Sequence, residues 1–463
     1  MNPPRSPLFR KAQHIHFVGI GGSGMSGIAE VLLNLNFTVS GSDLAHTPVT
    51  ERLAKLGAKV FSGHTAGNIS GADVVVTSSA VSADNPEVAE ARMKKVPVIP
   101  RAEMLAELMR MKYGVAIAGS HGKTSTTAMV AQVLSGAGLD PTIVIGGRLN
   151  ILGSSAKMGK GDLMVAEADE SDGSFLRLAP TIAVVTNIDS EHLNHYGTME
   201  TLVDAFIGFL NKVPFYGMGI VCLDDPQIQS IMPRLSRTLM TYGLASQADL
   251  VGTNLELKEF NSKFEVIFRG RWLGDVKLRV PGRHSIYNAL AAIGVGLEFD
   301  LKFGDIARLL SEFSGADRRF QFKGMHGDIM VIDDYGHHPT EIRATLAAAR
   351  EGWKRRTVVV FQPHRYSRVA ALMDEFARSF YQADVLVVTE VYRAGEEPIP
   401  GVSGETLASA IKAHGHHDVT HARDLDDASR ILGEKTRAGD MVITLGAGDV
   451  WKVADHFVKD AAA

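Results

Sequence analysis

Residues 113–135 read YGVAIAGSHGKTSTTAMVAQVLS, and this stretch decides how the middle of the chain folds. The apolar run from Val115 to Ala118 predicts a short buried strand. The Ala/Val/Met-rich segment after Thr124 predicts a helix. Between them lies Gly119-Ser120-His121-Gly122-Lys123-Thr124. Small residues there let the backbone approach an anion, and the N–H groups of a helix N-terminus face it. Lys123 is placed to reach the β- and γ-phosphates of a nucleotide, and the Thr124 hydroxyl to meet Mg²⁺. The loop departs from the strict G-x-x-x-x-G-K-[ST] pattern, because Ile117 stands where its first glycine would be. The strand, loop and helix context still points to an ATP-type nucleotide.

Outward from this loop, 463 residues leave room for about two to four domains. Hydrophobic content of 45% with 22% charged residues is that of a soluble globular protein. A net charge of -4 argues against a nucleic-acid surface, which needs a basic patch. Cys222 is the only cysteine, so no disulfide forms within the chain and a reducing cytoplasm fits. No apolar run reaches the ~18 residues of a membrane-spanning helix. The N-terminal MNPPRSPLFRK is basic and Pro-rich but lacks the apolar core of a signal peptide, and reads as a short flexible tail.

Upstream, His14 to Val18 predicts a strand, Met25 to Leu35 a helix and Phe37 to Ser40 a second strand ending near Asp43. The intervening Gly19-Ile20-Gly21-Gly22-Ser23-Gly24 is a G-x-G-x-x-G loop, and its spacing to Asp43 fits a dinucleotide fingerprint. By itself the loop says only that a phosphate-bearing ligand can sit on the helix N-terminus. Further α/β units follow, with strands expected at Asp73 to Thr77 and Val96 to Ile99 and an amphipathic helix from Arg101 to Met111. Ligands of open α/β sheets lie beyond the carboxyl ends of strands. His64 and the pair Ser78-Ser79 stand at such ends, where a lone His or Ser is more often a turn residue.

Downstream, the strand Leu163 to Ala166 runs into Glu167-Ala168-Asp169-Glu170-Ser171-Asp172. The strand Ile182 to Thr186 runs into Asn187-Ile188-Asp189-Ser190-Glu191-His192. If both flank the cradle strand in one parallel sheet, their acidic groups converge on the phosphates. A carboxylate after a buried strand is the usual Mg²⁺ anchor of such sites. Phe264 to Phe268 and Val276 to Val280 look like antiparallel strands. Pro281-Gly282-Arg283-His284-Ser285-Ile286-Tyr287-Asn288 then opens an Ala-rich helix with Asn288 in its first turn. From near Gly315 a third α/β region begins. Its strands end in Asp333-Asp334-Tyr335-Gly336-His337-His338 and in Gln362-Pro363-His364-Arg365-Tyr366-Ser367-Arg368. Planar, bidentate guanidinium groups such as Arg365 and Arg368 suit a carboxylate or phosphate. His414, His416 and His417 have no nearby carboxylate or cysteine set and read as a polar loop.

The stretches GIGGSGMSGIAE, GSHGKTSTT, EADESDGSF, TNIDSEH, GRHSIYNA, DRRF, DDYGHHPTE and QPHRYSR, in that order, resemble the Mur ligase family over nearly the whole chain. The resemblance implies three α/β domains. These are a Rossmann-like UDP-sugar domain (1–110), a central P-loop ATPase-type domain with added antiparallel strands (111–314), and a Rossmann-like amino-acid domain (315–463). It implies an ATP- and Mg²⁺-dependent ligase joining L-alanine to the lactyl carboxylate of UDP-N-acetylmuramate, in the cytoplasm, as a monomer or homodimer without nucleic-acid or membrane partners. A sister ligase that attaches a recycled tripeptide is the nearest alternative. A nicotinamide dehydrogenase and a P-loop switch protein are more distant ones.

Carried over to this sequence, Gly119, Ser120, His121, Gly122, Lys123, Thr124 and Ser125 would hold ATP, with His284, Asn288, Arg319 and Asp334. Thr124, Glu167 and His192 would hold the metal. Gly21, Gly22, Ser23, Gly24, Met25, His64, Ser78 and Ser79 would hold the sugar nucleotide. Tyr335, Arg365 and Arg368 would also meet substrate, and Lys123, His337, His364, Arg365 and Arg368 would act in the chemistry. Two departures stand out. Ser285 occupies a position where the family usually has Asn. No lysine occurs between His192 and Lys212, so the carbamylated lysine of several sister ligases is not expected.

Overall fold

A computed structural model describes residues 12–78, 80–149 and 154–459. The tail expected at residues 1–11 and the substrate position Ser79 lie outside the described residues. Its strands form three sheets. The first holds β1 (His14–Val18), β2 (Thr38–Asp43), β3 (Lys59–Ser62), β4 (Val74–Thr77) and β5 (Val98–Pro100) in the order β3-β2-β1-β4-β5. All its pairings are parallel. The order reverses beside β1, and the glycine loop leaves the carboxyl end of that strand, where open α/β sheets bind ligands.

The second sheet comprises β6 (Tyr113–Ala118), β7 (Thr142–Leu149), β8 (Ser154–Lys157), β9 (Leu163–Glu167) and β10 (Ile182–Val185). It continues with β11 (Met218–Cys222), β12 (Leu239–Gly243), β13 (Leu250–Lys258), β14 (Asn261–Phe268) and β15 (Arg271–Leu278). Its order is β15-β14-β13-β12-β11-β10-β6-β9-β7-β8. The cradle strand β6 is paired in parallel with β10 on one side and β9 on the other. Val115, Ala116, Ile117 and Ala118 are wholly buried, so the run is apolar without alternation, as a strand covered on both faces requires. Ile117 is therefore a core residue, which is why a glycine is not needed there.

The third sheet holds β16 (Gln321–His326), β17 (Ile329–Asp334), β18 (Thr357–Phe361), β19 (Val385–Val388), β20 (Val419–His421) and β21 (Met441–Leu445) in the order β16-β17-β21-β18-β19-β20. Only β16 pairs antiparallel. Apolar clusters cover both faces, one including Ile332, Phe361 and Phe376, the other Val331, Val360 and Val442.

By internal contacts the chain divides into two compact units. One comprises Met1–Thr253, Glu265–Gly274 and Tyr287–Leu310; the other Asn254–Phe264, Asp275–Ile286 and Ser311–Ala463. The first sheet and strands β6 to β12 thus fall in the first unit, and the residues of β13, β14 and β15 are divided between the two. Most element boundaries move by a few residues from the expected ones, as helix and strand ends do, though β15, expected at Val276 to Val280, runs over Arg271–Leu278. The histidine tract differs more. His414 follows the helix Gly404–Ala413, but His416 is buried, and burial depresses its basicity. It packs into the fold instead of belonging to a solvated loop. Among the described residues no helix is long and apolar enough to cross a membrane.

Candidate functional site

In the first unit, Gly19 has a φ of +78°, and the N–H groups of Gly19 and Ile20 both donate to the Ser42 carbonyl. Gly22 caps the helix Ser23–Asn34 without a side-chain bond, so its first-turn N–H groups are open to an anion. The Asp43 carboxylate accepts from Gly21 N at 2.8 Å and from Ala45 N at 3.1 Å. The acid that a dinucleotide enzyme would use on a ribose is here spent shaping the loop. Met25 is buried in the core, leaving it only a backbone contribution to a ligand. Ser78 is half-buried just past β4. His64, past β3, bonds through Nδ1 to Ser42 Oγ at 2.9 Å.

The cradle loop leaves β6 with Gly119 at φ +128° and enters the helix Lys123–Gly136 through Gly122 at φ +81°, both left-handed. The segment after β10 clamps it. Ser120 N donates to the Asn187 carbonyl (3.0 Å) and His121 N to Asn187 Oδ1 (2.9 Å), while Thr186 Oγ1 donates to the His121 carbonyl (2.6 Å). Asp189 pairs with His121 Nε2 at 2.9 Å. The cradle is thus held in shape by hydrogen bonds to the neighbouring strand end. Asn288 lies against Gly122, and its Oδ1 accepts from Thr126 Oγ1 at 3.1 Å. Ser285 turns inward and donates to the Pro281 carbonyl at 2.7 Å, so the departure from the family's Asn serves the helix start.

Lys123 Nζ donates to the carbonyls of Gly119 (2.7 Å) and Ser120 (3.0 Å) and pairs with Glu170 Oε1 at 2.9 Å. Burial opposes its charge, but Glu170 and Glu191 more than reverse that, raising its basicity. Thr124 Oγ1 lies 3.2 and 3.1 Å from the two oxygens of Glu167. Glu170, Glu191 and His192 bring one ligand atom each within 4.8 Å of one another. Burial pushes the Glu170 carboxyl up to about 7, against the pull of Lys123 and with the push of Asp169. Its Oε2 is buried with no hydrogen-bond partner among the described residues. A carboxylate in that condition fits a divalent cation. The predicted metal residues therefore fall into two adjoining groups, Thr124 with Glu167 and His192 with Glu170 and Glu191. Glu170 and Glu191 were present in the quoted acidic runs, but spacing alone did not separate them from Glu167. His192 takes a left-handed backbone, φ +58°, uncommon for a non-glycine residue and frequent at functional sites.

In the second unit, Tyr335 and His337 follow β17, and His364, Arg365 and Arg368 follow β18. The His337 and His364 rings lie 5.7 Å apart, and His337 meets Tyr335 edge-on at 5.3 Å. Arg319 and Arg318 place their guanidinium groups 5.2 and 5.1 Å from the Tyr335 ring. Burial, reinforced by His337, Arg368 and Arg365, lowers His364 to about 3. The exposed Arg365 has φ +69°, a strained value that its N–H bond to the Tyr392 carbonyl (2.9 Å) helps hold. Tyr392 also stacks on His364 at 5.5 Å and 8°. Asp334 is buried and accepts from Phe320 N and Gly336 N, both at 2.7 Å, and from Thr345 Oγ1 at 3.2 Å. Its carboxylate shapes the turn that carries Arg318 and Arg319. Burial lowers His284 to about 4, and Arg319 adds to the effect.

The three parts match family models described as Mur ligase catalytic domain (residues 14–113), Mur ligase middle domain (117–296) and Mur ligase glutamate ligase domain (318–448). The UDP-N-acetylmuramate–L-alanine ligase of Trichlorobacter lovleyi is 58% identical over 454 residues, covering 98% of this chain and 100% of the relative. That of Syntrophotalea carbinolica is 56% identical over 452 residues, covering 98% and 99%. The crystal structure of the UDP-N-acetylmuramate-alanine ligase of Thermotoga maritima is similar with a TM-score of 0.82 at 30% identity, over 97% of this chain and 99% of that one. A murein peptide ligase from Psychrobacter arcticus shares the fold with a TM-score of 0.71 at 22% identity, over 97% and 98%. With three α/β domains matched in order and full-length relatives above half identity, the chain belongs to the Mur ligase family.

Proposed function

We propose that this protein joins L-alanine to the lactyl carboxylate of UDP-N-acetylmuramate at the expense of ATP, in cytoplasmic synthesis of a cell-wall precursor. The observation that carries the reading is the strand order β10-β6-β9, which sets a lysine-bearing phosphate cradle between two acidic strand ends. The full-length similarity to ligases named for this reaction supports it. The Gly19–Gly24 loop is assigned to the diphosphate of the sugar nucleotide, and residues 119–125 to the phosphates of ATP.

A carboxylate is a poor acyl donor. Its oxygen attacks the γ-phosphorus of ATP, the bond from that phosphorus to the β-phosphate oxygen breaks, and ADP leaves. Lys123, charged and held beside the loop, stabilises the negative charge on the transferring group. Thr124, Glu167, Glu170, Glu191 and His192 would hold Mg²⁺, whose contribution is to neutralise phosphate charge. The alanine amine, freed of its proton, then attacks the acyl carbon, and the bond from that carbon to the phosphate oxygen breaks as phosphate departs. Tyr335, His337, Arg365 and Arg368 are assigned to the amino-acid end. His364, with its basicity depressed to about 3, is suited to accept a hydrogen bond and not to carry the amine proton.

Phosphate release with ATP, Mg²⁺ and UDP-N-acetylmuramate, scanned over L-alanine, glycine, L-serine and the tripeptide, tests the reading. Release that depends on L-alanine is expected. Release that needs only the tripeptide, or that ignores every amino acid, refutes it.

A further inference from the structure

Beneath the carboxyl end of the first sheet lies a carboxylate with no place in the reaction above. Glu87, in the helix Pro86–Met93, is completely buried. A buried charge is costly unless its hydrogen bonds are complete, so a domain that keeps one has a use for it. Ser42 Oγ donates to Glu87 Oε2 at 2.5 Å, and Asn68 Nδ2 donates to Oε1 at 2.5 Å. His16 Nε2 and His64 Nδ1 approach the same Oε2 at 3.6 and 3.4 Å. Burial works against the charge, but the groups from His16, Ser42 and Asn68 prevail and hold the carboxyl down at about 2. Glu87 is ionised under any physiological condition.

The proton count in this network has one solution. A serine hydroxyl has a single hydrogen. Ser42 gives it to Glu87, so the 2.9 Å contact between Ser42 Oγ and His64 Nδ1 is donated by the histidine. The neutral ring then carries its hydrogen on Nδ1 and its lone pair on Nε2. The His64 side chain keeps 18% of its surface exposed, whereas Glu87 and His16 keep none. His64 is thus the only one of the three with a face toward solvent. On the other side, Ser40 Oγ ties His16 Nδ1 at 2.8 Å, so His16 is held as well and cannot swing to replace His64.

We propose that Glu87 is a positioning residue for sugar-nucleotide recognition, acting through Ser42 to fix His64 as an Nε2 hydrogen-bond acceptor for an N–H or O–H group of the nucleoside. This rests on the assignment of His64 to the UDP-sugar. A buried carboxylate sets the tautomer of a half-buried imidazole, which in turn reads a donor on the ligand. With the carboxylate replaced by an amide, the Ser42 hydroxyl is released to donate toward Nδ1. The ring hydrogen then moves to Nε2, and the acceptor becomes a donor.

Steady-state kinetics of Glu87→Gln and His64→Asn, alone and together, test the inference alongside ¹⁵N NMR of the imidazoles. Each single variant should raise KM for UDP-N-acetylmuramate by about tenfold, the value of one lost ligand hydrogen bond, with kcat and the KM for ATP unchanged. Glu87→Gln should add nothing in the His64→Asn background, and should move the His64 hydrogen from Nδ1 to Nε2. If Glu87→Gln does not fold, Ser42→Ala removes the relay hydroxyl while keeping the carboxylate and should show the same KM effect. A Glu87→Gln enzyme that loses stability but keeps both its KM and its His64 tautomer overturns the inference. If His64→Asn itself leaves KM unchanged, the assignment of His64 to the substrate fails instead.

Discussion

Replacing Gly119 by alanine should disable the nucleotide cradle while sparing the rest of the protein. A Cβ at this position would lie 2.1 Å from Thr186 Oγ1, 2.9 Å from Thr186 N and 3.1 Å from Asn187 N. The first neighbour is a side chain already committed to the His121 carbonyl, and the other two are backbone. None can step aside without dragging the loop clamp with it. The φ of +128° adds backbone strain of ~1–3 kcal/mol for any residue with a Cβ. Overpacking adds ~1–3 kcal/mol. Even if relaxation recovers half of the sum, about 1–3 kcal/mol remains against the nucleotide-ready loop, which is a loss of about 5- to 150-fold in affinity. Direct titration of ATP or a non-hydrolysable analogue reads this, with Gly67→Ala as the control, because a Cβ there meets nothing within 4 Å. Nucleotide affinity within threefold of the parent in Gly119→Ala would refute the claim that the loop is locked against the end of β10.

Lys123→Ala should lower the rate of ADP release with all substrates present by at least about 10²-fold, in line with loss of a charge aimed at the transferring phosphoryl group; near-parental turnover would remove the lysine from the chemistry. Tyr392→Ala should loosen the His364 ring, raising KM for alanine by about tenfold with KM for ATP unchanged, whereas Tyr392→Phe keeps the stacking and should keep the KM. Glu87 is depressed in the folded protein to about 2 from 4.5, so its stabilising contribution is present above pH 4.5 and is lost as the pH falls toward 2. That shift corresponds to at most about 3 kcal/mol. Urea unfolding of the parent and Glu87→Gln should therefore differ most near neutrality and converge only as the pH approaches 2, and a gap independent of pH would show that the charge is not what stabilises.

The elements were legible wherever one chemical signal dominated. Buried parallel strands such as β6, β10 and β18 announce themselves as apolar runs. The phosphate loops are visible as glycine clusters, and the left-handed backbone of Gly19, Gly119 and Gly122 favours that residue. Convergence of the acidic groups was a conditional statement in the sequence, and the pairing of β6 with both β9 and β10 met its condition. What could not be read was which carboxylate in a run of several points where. Glu167, Asp169 and Glu170 sit within four positions, yet their partners are Thr124, Arg101 and Lys123 respectively. That division depends on side-chain direction past a strand end, for which one-dimensional spacing has no signal. Glu87 was invisible for a related reason. An acidic residue in the first turn of a helix ordinarily faces water and the helix dipole, and only the packing of β1 and β2 beneath it turns it into a buried charge.

The pairing of Lys123 with Glu170 has a consequence for selectivity. Lys123, the cation that a bound phosphate needs, is paired with a carboxylate of this chain. An incoming anion must therefore win an exchange and leave Glu170 with a replacement counter-charge. A lone phosphate offers none, whereas a nucleotide arriving with a divalent cation supplies one together with its own negative charge. On the proposed function, Glu170 would compete with phosphate for Lys123 and so make nucleotide and cation uptake mutually dependent.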